Sequence, residues 1–186
     1  MKITVQIAKQ LREVHFGGNW TDVDLKQSLA GVDWEQAIKK VYALNTIADL
    51  IFHMNYYVRA VMSVLRNEPL ESKQELSFNM PPINSAEDWE KLLGRTWADA
   101  ETFALLIEAL PEKILAEIFV EEKYGTYYKN IHGVIEHTHY HLGQIVLSEP
   151  PRSRADGASE NTASVPDKAG QPKITNFEIL SKKPSK

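Results

Sequence analysis

The chain has 186 residues, 43% hydrophobic and 25% charged, which is typical of one globular domain with its own core. It contains no cysteine, which excludes disulfides, thiolate metal ligands and a cysteine nucleophile, so a soft-metal site would have to use histidine or carboxylate. The net charge of −4 divides into −6 over residues 1–148 and +2 over residues 149–186, and an acidic domain argues against a nucleic-acid partner.

The sequence carries no sign of a membrane segment. No stretch reaches the roughly 18 consecutive apolar residues that a spanning helix needs. The N-terminal residues soon include Lys9, Arg12 and Glu13 and lack the apolar core of a signal peptide. From these features we expect a cytoplasmic protein with no membrane partner.

Two long helical patterns occupy the first third of the chain. The first covers about residues 3–15, with apolar residues on one face, and Gly17 and Gly18 follow it as a helix end. The second covers about residues 46–66, where apolar residues again recur at helical spacing. The turn-forming residues 67–69 then stop this second helix.

Two further helical patterns follow. The third begins after Ser85, whose hydroxyl can cap a helix that also has Asp88 in its first turn, and runs to about residue 110, before Pro111. The fourth covers about residues 127–147. No segment shows convincing strand alternation, so the sequence predicts an all-α protein, a four-helix bundle with a long first connection.

The connections leave the helix order open. Residues 16–44 form the long first connection, with a short helix predicted within 33–40. Residues 112–126 are ambiguous, and residues 114–120 within them fit an extended or irregular crossing segment. A connection as long as the first argues against simple up-and-down ordering. A crossover topology is therefore an equal alternative.

Composition changes sharply after Leu147. Pro150 and Pro151 break any helix, and most of the residues that follow are small or polar. We therefore divide the chain into a helical domain, residues 1–148, and a low-complexity tail, residues 149–186, which we expect to be mostly disordered. An alternative is that the tail carries the function, as a tether or peptide ligand. Its apolar patch at residues 174–180 either docks on a surface or has no binding role.

Histidines form the most informative pattern. His137 and His141 are four residues apart in the fourth helix and stand on one face, whereas His139 points to the opposite side. His53 borders the apolar stripe of the second helix, and bundles build metal sites from inward side chains on facing helices. Three imidazoles would leave an open coordination position. The residues alone do not favour a metal site over the ordinary alternative. In that alternative, His53 is a boundary residue and the histidines of the fourth helix form a solvated surface cluster.

The run HTHYHLGQI at residues 137–145 resembles the His-x-x-x-His-x-Gly-Gln ending of the DinB/YfiT-like family of small bacterial four-helix proteins. The stretch IADLIFH at residues 47–53 is similar to the second helix of that family, which carries a single histidine. The resemblance covers residues 1–148. It implies a DinB/YfiT-like bundle in which His53, His137 and His141 bind a divalent metal, nickel or zinc. Some relatives are thiol-dependent transferases or isomerases that use low-molecular-weight thiols such as bacillithiol or mycothiol.

These patterns together favour a metal-dependent enzyme. The metal would activate a thiol or water for transfer to, or hydrolysis of, a small-molecule electrophile. No side chain stands out as a general base, so the catalytic residues stay unassigned beyond the metal ligands. The alternative is a non-catalytic, metal-stabilised bundle that acts as a binding or stress-response protein. In either case an exposed apolar face would allow a homodimer.

Three further residues are candidates for a pocket around the metal. Gln144, three residues after His141, could donate to a bound water or substrate, or could simply pack at the helix end. Tyr57, one turn after His53, could line the pocket with its hydroxyl or could be an ordinary boundary tyrosine. Trp20, in the loop after the first helix, could cap the pocket or cover the core.

Two other residues have alternative roles near the predicted ligands. Asp49 lies one turn before His53 and could hold an imidazole N–H, or could be an exposed acid that interacts with the helix dipole. Gly143 is expected to let another helix approach closely, since it has no side chain.

Overall fold

The computed structural model describes residues 1–42 and 44–148, so the predicted tail and its apolar patch lie outside the described residues. The α-helices, numbered in chain order, are α1 (Ile3–Phe16), α2 (Leu25–Ser28), α3 (Trp34–Ala37), α4 (Ile47–Leu65), α5 (Ala86–Ala109) and α6 (Tyr127–Ser148). Three 3-10 turns lie in the connections, at Gln74–Leu76, Glu112–Ala116 and Glu122–Tyr124. Within the described ranges no strand forms, so this part of the chain is all-α, as predicted.

Two of the helix ends show the predicted capping chemistry, and a third has a cap that was not predicted. The backbone N–H of Asp88 donates to Ser85 Oγ at 3.2 Å, and Gly17 ends α1 with a φ of 103°, which glycine adopts at low cost. Thr46 and Asp49 cap α4 reciprocally, with N–H···O distances of 3.1 Å to Thr46 Oγ1 and 3.0 Å to the Asp49 carboxylate. Asp49 therefore caps the helix in whose first turn it lies, and it is half-buried instead of exposed.

The long first connection holds two short helices where the sequence indicated one. The carboxylate of Asp33 accepts a hydrogen bond from the backbone N–H of Gln36 at 2.8 Å and so starts α3 within the predicted range 33–40. Helix α2, which Asp24 caps in the same way, is not predicted from the sequence. Four residues are too few to display a periodic apolar pattern.

Residues 112–126, within which residues 114–120 were predicted to be extended or irregular, form an irregular segment in the structure. One 3-10 turn precedes a single antiparallel bridge between Ile118 and Thr126, and the other 3-10 turn lies between these two bridge residues. The backbone N–H of Phe119 donates to the Gly125 carbonyl at 2.9 Å, which closes the segment into a compact loop before α6. The loop shields Phe119 and Leu115, which are both buried.

The four long helices surround one hydrophobic core. Helix α1 packs against α5 and α6, and helix α4 packs against the same two. Consecutive long helices α1 and α4 therefore face each other across the bundle, which is the crossover arrangement left open by the sequence. None of the described helices is both long and apolar enough to cross a membrane. The largest fully buried apolar side chains are those of Leu11, Leu25, Ile51, Met54, Phe103, Ile107, Ile131 and Ile145.

Candidate metal centre

Three histidine side chains meet where α4 packs against α6. Nε2 of His53, from α4, lies 3.1 Å from Nε2 of His137, and Nε2 of His141 lies 2.9 Å from that same atom. One nitrogen from each of the three residues lies within 4.8 Å of the other two. The three residues predicted as ligands are therefore together, and the group could hold a metal ion.

The three imidazoles differ in their access to solvent. His53 and His141 are buried, with 8% and 7% of their surface exposed, whereas His137 is half-buried. His137 is therefore the predicted ligand with the most exposed side chain.

A hydrogen bond at the far ring nitrogen defines the tautomer of His53. Nδ1 of His53 lies 3.1 Å from Ser77 Oγ, and this hydroxyl donates its only hydrogen to the carbonyl oxygen of Gln74 at 2.7 Å. Ser77 Oγ can therefore only accept from His53, so the proton of the neutral imidazole is on Nδ1. Nε2 of His53 then presents a lone pair to the cluster.

His141 is held in the same tautomer by a neighbour on its own helix. Its Nδ1 lies 2.7 Å from Oε1 of Gln144, an amide oxygen that can only accept a hydrogen bond. The amide nitrogen of Gln144 donates in turn to Tyr140 Oη at 3.3 Å. Gln144 therefore lies at the cluster, where it orients the imidazole of His141.

The two tautomers leave an excess of lone pairs at the centre of the cluster. Nε2 of His53 and Nε2 of His141 both act as acceptors, and both are within 3.1 Å of Nε2 of His137. One hydrogen on His137 can satisfy only one of them. At least one lone pair therefore faces another nitrogen without a hydrogen between them. A metal cation at the centre of the cluster could accept these lone pairs, so the three nitrogens fit a set of metal ligands.

Two of the three imidazoles have lowered pKa values. Burial, followed by the neighbouring His141 and His53, lowers the pKa of His137 to about 4. Burial and the neighbouring His141 also lower the pKa of His53, although an interaction with the Ser77 backbone opposes this effect. Both imidazoles are therefore neutral at pH 7, the form in which histidine binds metal.

Aromatic rings enclose the imidazoles. Phe78 stacks on His53 with ring centroids 4.0 Å apart and an interplanar angle of 14°. Tyr57 meets His53 and His137 edge-on, at 5.1 Å in each case, so this predicted pocket residue does lie at the cluster. These rings limit the directions in which each imidazole can turn.

The structure does not bring Trp20 to the cluster. Its side chain is 98% exposed and borders a separate depression of about 320 Å³, which His132 and His139 also line. Nδ1 of His139 donates to the carbonyl oxygen of Ile135 at 3.0 Å, away from the three ligands. Trp20 and His139 therefore belong to the opposite side of α6, as the helical spacing predicted for His139.

Gly143 has a different role from the one expected. A methyl group added at this position would meet no described atom within 4 Å, so close approach of another helix is not the reason for a glycine there. The expectation of tight helix packing at Gly143 is wrong. Helix α6 instead has open space at this point, one residue before Gln144.

Three residues that shape the cluster were not predicted from the sequence. Ser77 and Phe78 follow a 3-10 turn in the connection between α4 and α5, where no periodic pattern marks a residue as buried. Tyr140 is 64% exposed and packs its ring edge-on against His141 at 4.9 Å. Its place beside His141 in the helix was the one signal that could have identified it.

The hydrogen-bond partners of the imidazoles should control metal affinity. We expect Ser77→Ala and Gln144→Leu each to weaken zinc binding about 10- to 100-fold, because each leaves a buried Nδ1–H without its acceptor and frees the ring to turn. Competition with a chromophoric chelator measures the change. Thr102→Val removes a hydroxyl that bonds only to its own helix and serves as the control. Wild-type affinity in both site variants would contradict the assigned orienting role.

The chain matches no family model, no curated protein and no solved structure.

Proposed function

We propose that the three-histidine cluster is the divalent-metal site of an enzyme and that the metal is zinc or nickel. The observation that carries the proposal is the convergence of three Nε2 atoms, two of them turned inward by hydrogen bonds at the opposite ring nitrogen. Imidazole suits zinc and nickel, whereas magnesium and calcium prefer oxygen ligands. Three protein ligands also match the number found in catalytic zinc sites.

The surroundings of the cluster support a chemical role. A divalent ion held by three neutral imidazoles supplies a positive charge that lowers the pKa of a thiol or water that reaches it. The protein holds two imidazoles in buried positions and leaves the half-buried His137 on the accessible side. The rings of Phe78, Tyr57 and Tyr140 exclude part of the bulk water around the imidazoles.

The proposed reaction is transfer of a low-molecular-weight thiol to a small electrophile. In such a transfer the thiol sulfur forms a bond to carbon, the leaving group departs with its electron pair, and the thiol proton passes to solvent. The resemblance of residues 137–145 to DinB/YfiT-like proteins supports a thiol as the nucleophile. Hydrolysis, with water in place of the thiol, is the second reaction that this site would serve.

A non-catalytic role is the second candidate. The cluster joins α4 to α6, so a bound ion would crosslink two of the four long helices. In addition, the three histidines line neither the depression beside Trp20 nor a cavity of about 520 Å³ between α4 and α5. Both observations favour a metal-stabilised bundle that acts as a binding or stress-response protein.

Turnover by the metal-loaded protein separates the two candidates. The full chain, loaded with zinc or with nickel, would be assayed with glutathione or cysteine and 1-chloro-2,4-dinitrobenzene for transfer, and with 4-nitrophenyl acetate for hydrolysis. We expect metal-dependent product formation that His137→Ala abolishes and His139→Ala keeps. Retained metal and a raised melting temperature without turnover in either assay would overturn the enzyme proposal in favour of the second candidate.

A further inference from the structure

The connection from α4 to α5 includes an exposed strap, residues 66–82, that has one buried residue. Among these residues, all of which the structure describes, only Ser77 is buried, with 0% of its surface exposed. Leu70 and Met80 also pack against the core, but both are only partly buried. Serine is mostly exposed in proteins, and a buried serine hydroxyl needs hydrogen-bond partners. The buried attachment of the strap is therefore a polar one.

This attachment is made to one of the three histidines. Ser77 Oγ accepts a hydrogen bond from Nδ1 of His53 at 3.1 Å, and the ring of Phe78 stacks on the same imidazole with ring centroids 4.0 Å apart. Two consecutive residues of the strap thus contact one side chain of α4. If the His53 ring turned, both contacts would be lost together.

Further hydrogen bonds between α4 and the strap are exposed to water. Tyr56 Oη accepts from the backbone N–H of Lys73 at 2.7 Å and donates to the Lys73 carbonyl oxygen at 3.1 Å. Water competes for both groups at an exposed position, so the net contribution of these bonds to holding the strap is small. The placement of Ser77 and Phe78 therefore depends mainly on the orientation of His53.

We propose that metal binding at the three histidines holds the strap against α4, and that without metal the strap opens at Ser77 and Phe78. This inference rests on the proposed metal site. With a metal on its Nε2, the His53 ring can no longer turn, and its Nδ1–H becomes a more strongly polarised donor toward Ser77. Both changes stabilise the closed strap, so its opening is controlled by metal loading.

The size of the effect follows from thermodynamic linkage. Loss of the hydrogen-bond partner of a metal-bound imidazole weakens metal binding about 10- to 100-fold. Coupling between two equilibria is reciprocal, so bound metal must favour the closed contact between Ser77 and His53 by the same factor. The open population of the strap should therefore fall about 10- to 100-fold when metal saturates the site.

Amide hydrogen exchange of the full chain, with and without saturating zinc, measures this opening. The backbone N–H groups of Leu76, Ser77 and Asn79 donate to carbonyl oxygens within the strap at 2.9 to 3.1 Å, so they exchange when the strap opens. We expect zinc to slow their exchange about 10- to 100-fold. The N–H of Tyr124, bonded at 2.9 Å in a 3-10 turn before α6, serves as the reference and should keep its rate.

Two variants test whether the effect passes through the hydroxyl of Ser77. At a zinc concentration that saturates it, Ser77→Ala should lose most of the zinc-dependent slowing at Asn79. Leu76→Ala removes a larger side chain from the same strap, one that is 43% exposed, and should keep the slowing. A thermal melt of each variant checks that it is folded. Full slowing in Ser77→Ala would overturn the proposal.

The measurements also separate this inference from the proposed function. If one equivalent of zinc binds and the strap amides keep their rates, the inference is overturned and the metal site stands. Equal slowing at Tyr124 and in the strap would indicate general stabilisation of the bundle and would overturn the inference as well. If wild type binds no zinc, the proposed metal site fails, and the inference fails with it.

Discussion

Alanine in place of His53, His137 or His141 is expected to abolish tight binding of one equivalent of zinc or nickel. Each substitution leaves two imidazoles where three converge within 4.8 Å. Loss of an outer hydrogen-bonding partner already weakens metal binding by about 10- to 100-fold, so loss of a ligand should exceed a hundredfold. His139→Ala should keep the metal, because Nδ1 of His139 is bonded to the Ile135 carbonyl on another side of α6.

Elemental analysis of dialysed protein measures the bound metal, and thermal melts give an independent measure. An ion that binds only the folded state stabilises it by about 4 kcal/mol when its concentration is 1,000 times the dissociation constant. Wild type and the His139 variant should show this stabilisation, and the three ligand variants should lose most of it. If wild type takes up neither metal, or if the His139 variant loses as much as the others, the histidines are boundary residues of an ordinary bundle.

Acidification should destabilise the bundle through a different histidine. His15 is buried at the end of α1, and its Nδ1–H donates to the carbonyl oxygen of Leu11 at 2.8 Å. Burial lowers the pKa of His15 to about 4, an effect that the Leu11 hydrogen bond opposes and the nearby His139 reinforces. The unfolded chain has an ordinary histidine pKa of about 6.5.

The sign of the effect follows from proton binding. Between pH 6.5 and pH 4 the unfolded chain is protonated at His15 while the folded protein is not, so the free energy of unfolding falls as the pH falls. The contribution of His15 is complete above pH 6.5, and about 3 kcal/mol of stability is lost by pH 4. Below pH 4 both states are protonated, and this group causes no further loss.

Urea unfolding of wild type and His15→Gln at pH 7 and pH 4 isolates this contribution. A chelator is included so that metal release does not add to the change. The wild-type protein should lose about 3 kcal/mol more between the two pH values than the variant, whatever their difference at pH 7. Equal losses in the two proteins would show that His15 does not resist protonation in the folded state.

The sequence predicted the four long helices because their signals are local. Apolar residues three and four apart define a helix face, and a capping residue bonds to an amide only two or three residues away. The predicted starts at Ser85 and Thr46 therefore agree with the structure. The four-residue helix α2 was missed because it is shorter than the pattern that would reveal it.

In the candidate site too, the local part was predictable from the sequence and the long-range part was not. His137 and His141 are one turn apart, so their common face, and the separate face of His139, follow from helical geometry alone. That His53 meets them across 84 positions of sequence depends on the packing of α4 against α6. From its own position alone, His53 was better interpreted as an ordinary boundary histidine than as a ligand.

Local sequence therefore determined which segments are helices and which of their residues share a face. The tertiary structure alone decided that α1 and α4 lie across the bundle from each other, that Ser77 orients His53, and that Trp20 lies away from the cluster. The reason is physical, because spacing along one helix is set by its own backbone, whereas contacts between distant segments depend on how all the helices pack into one core.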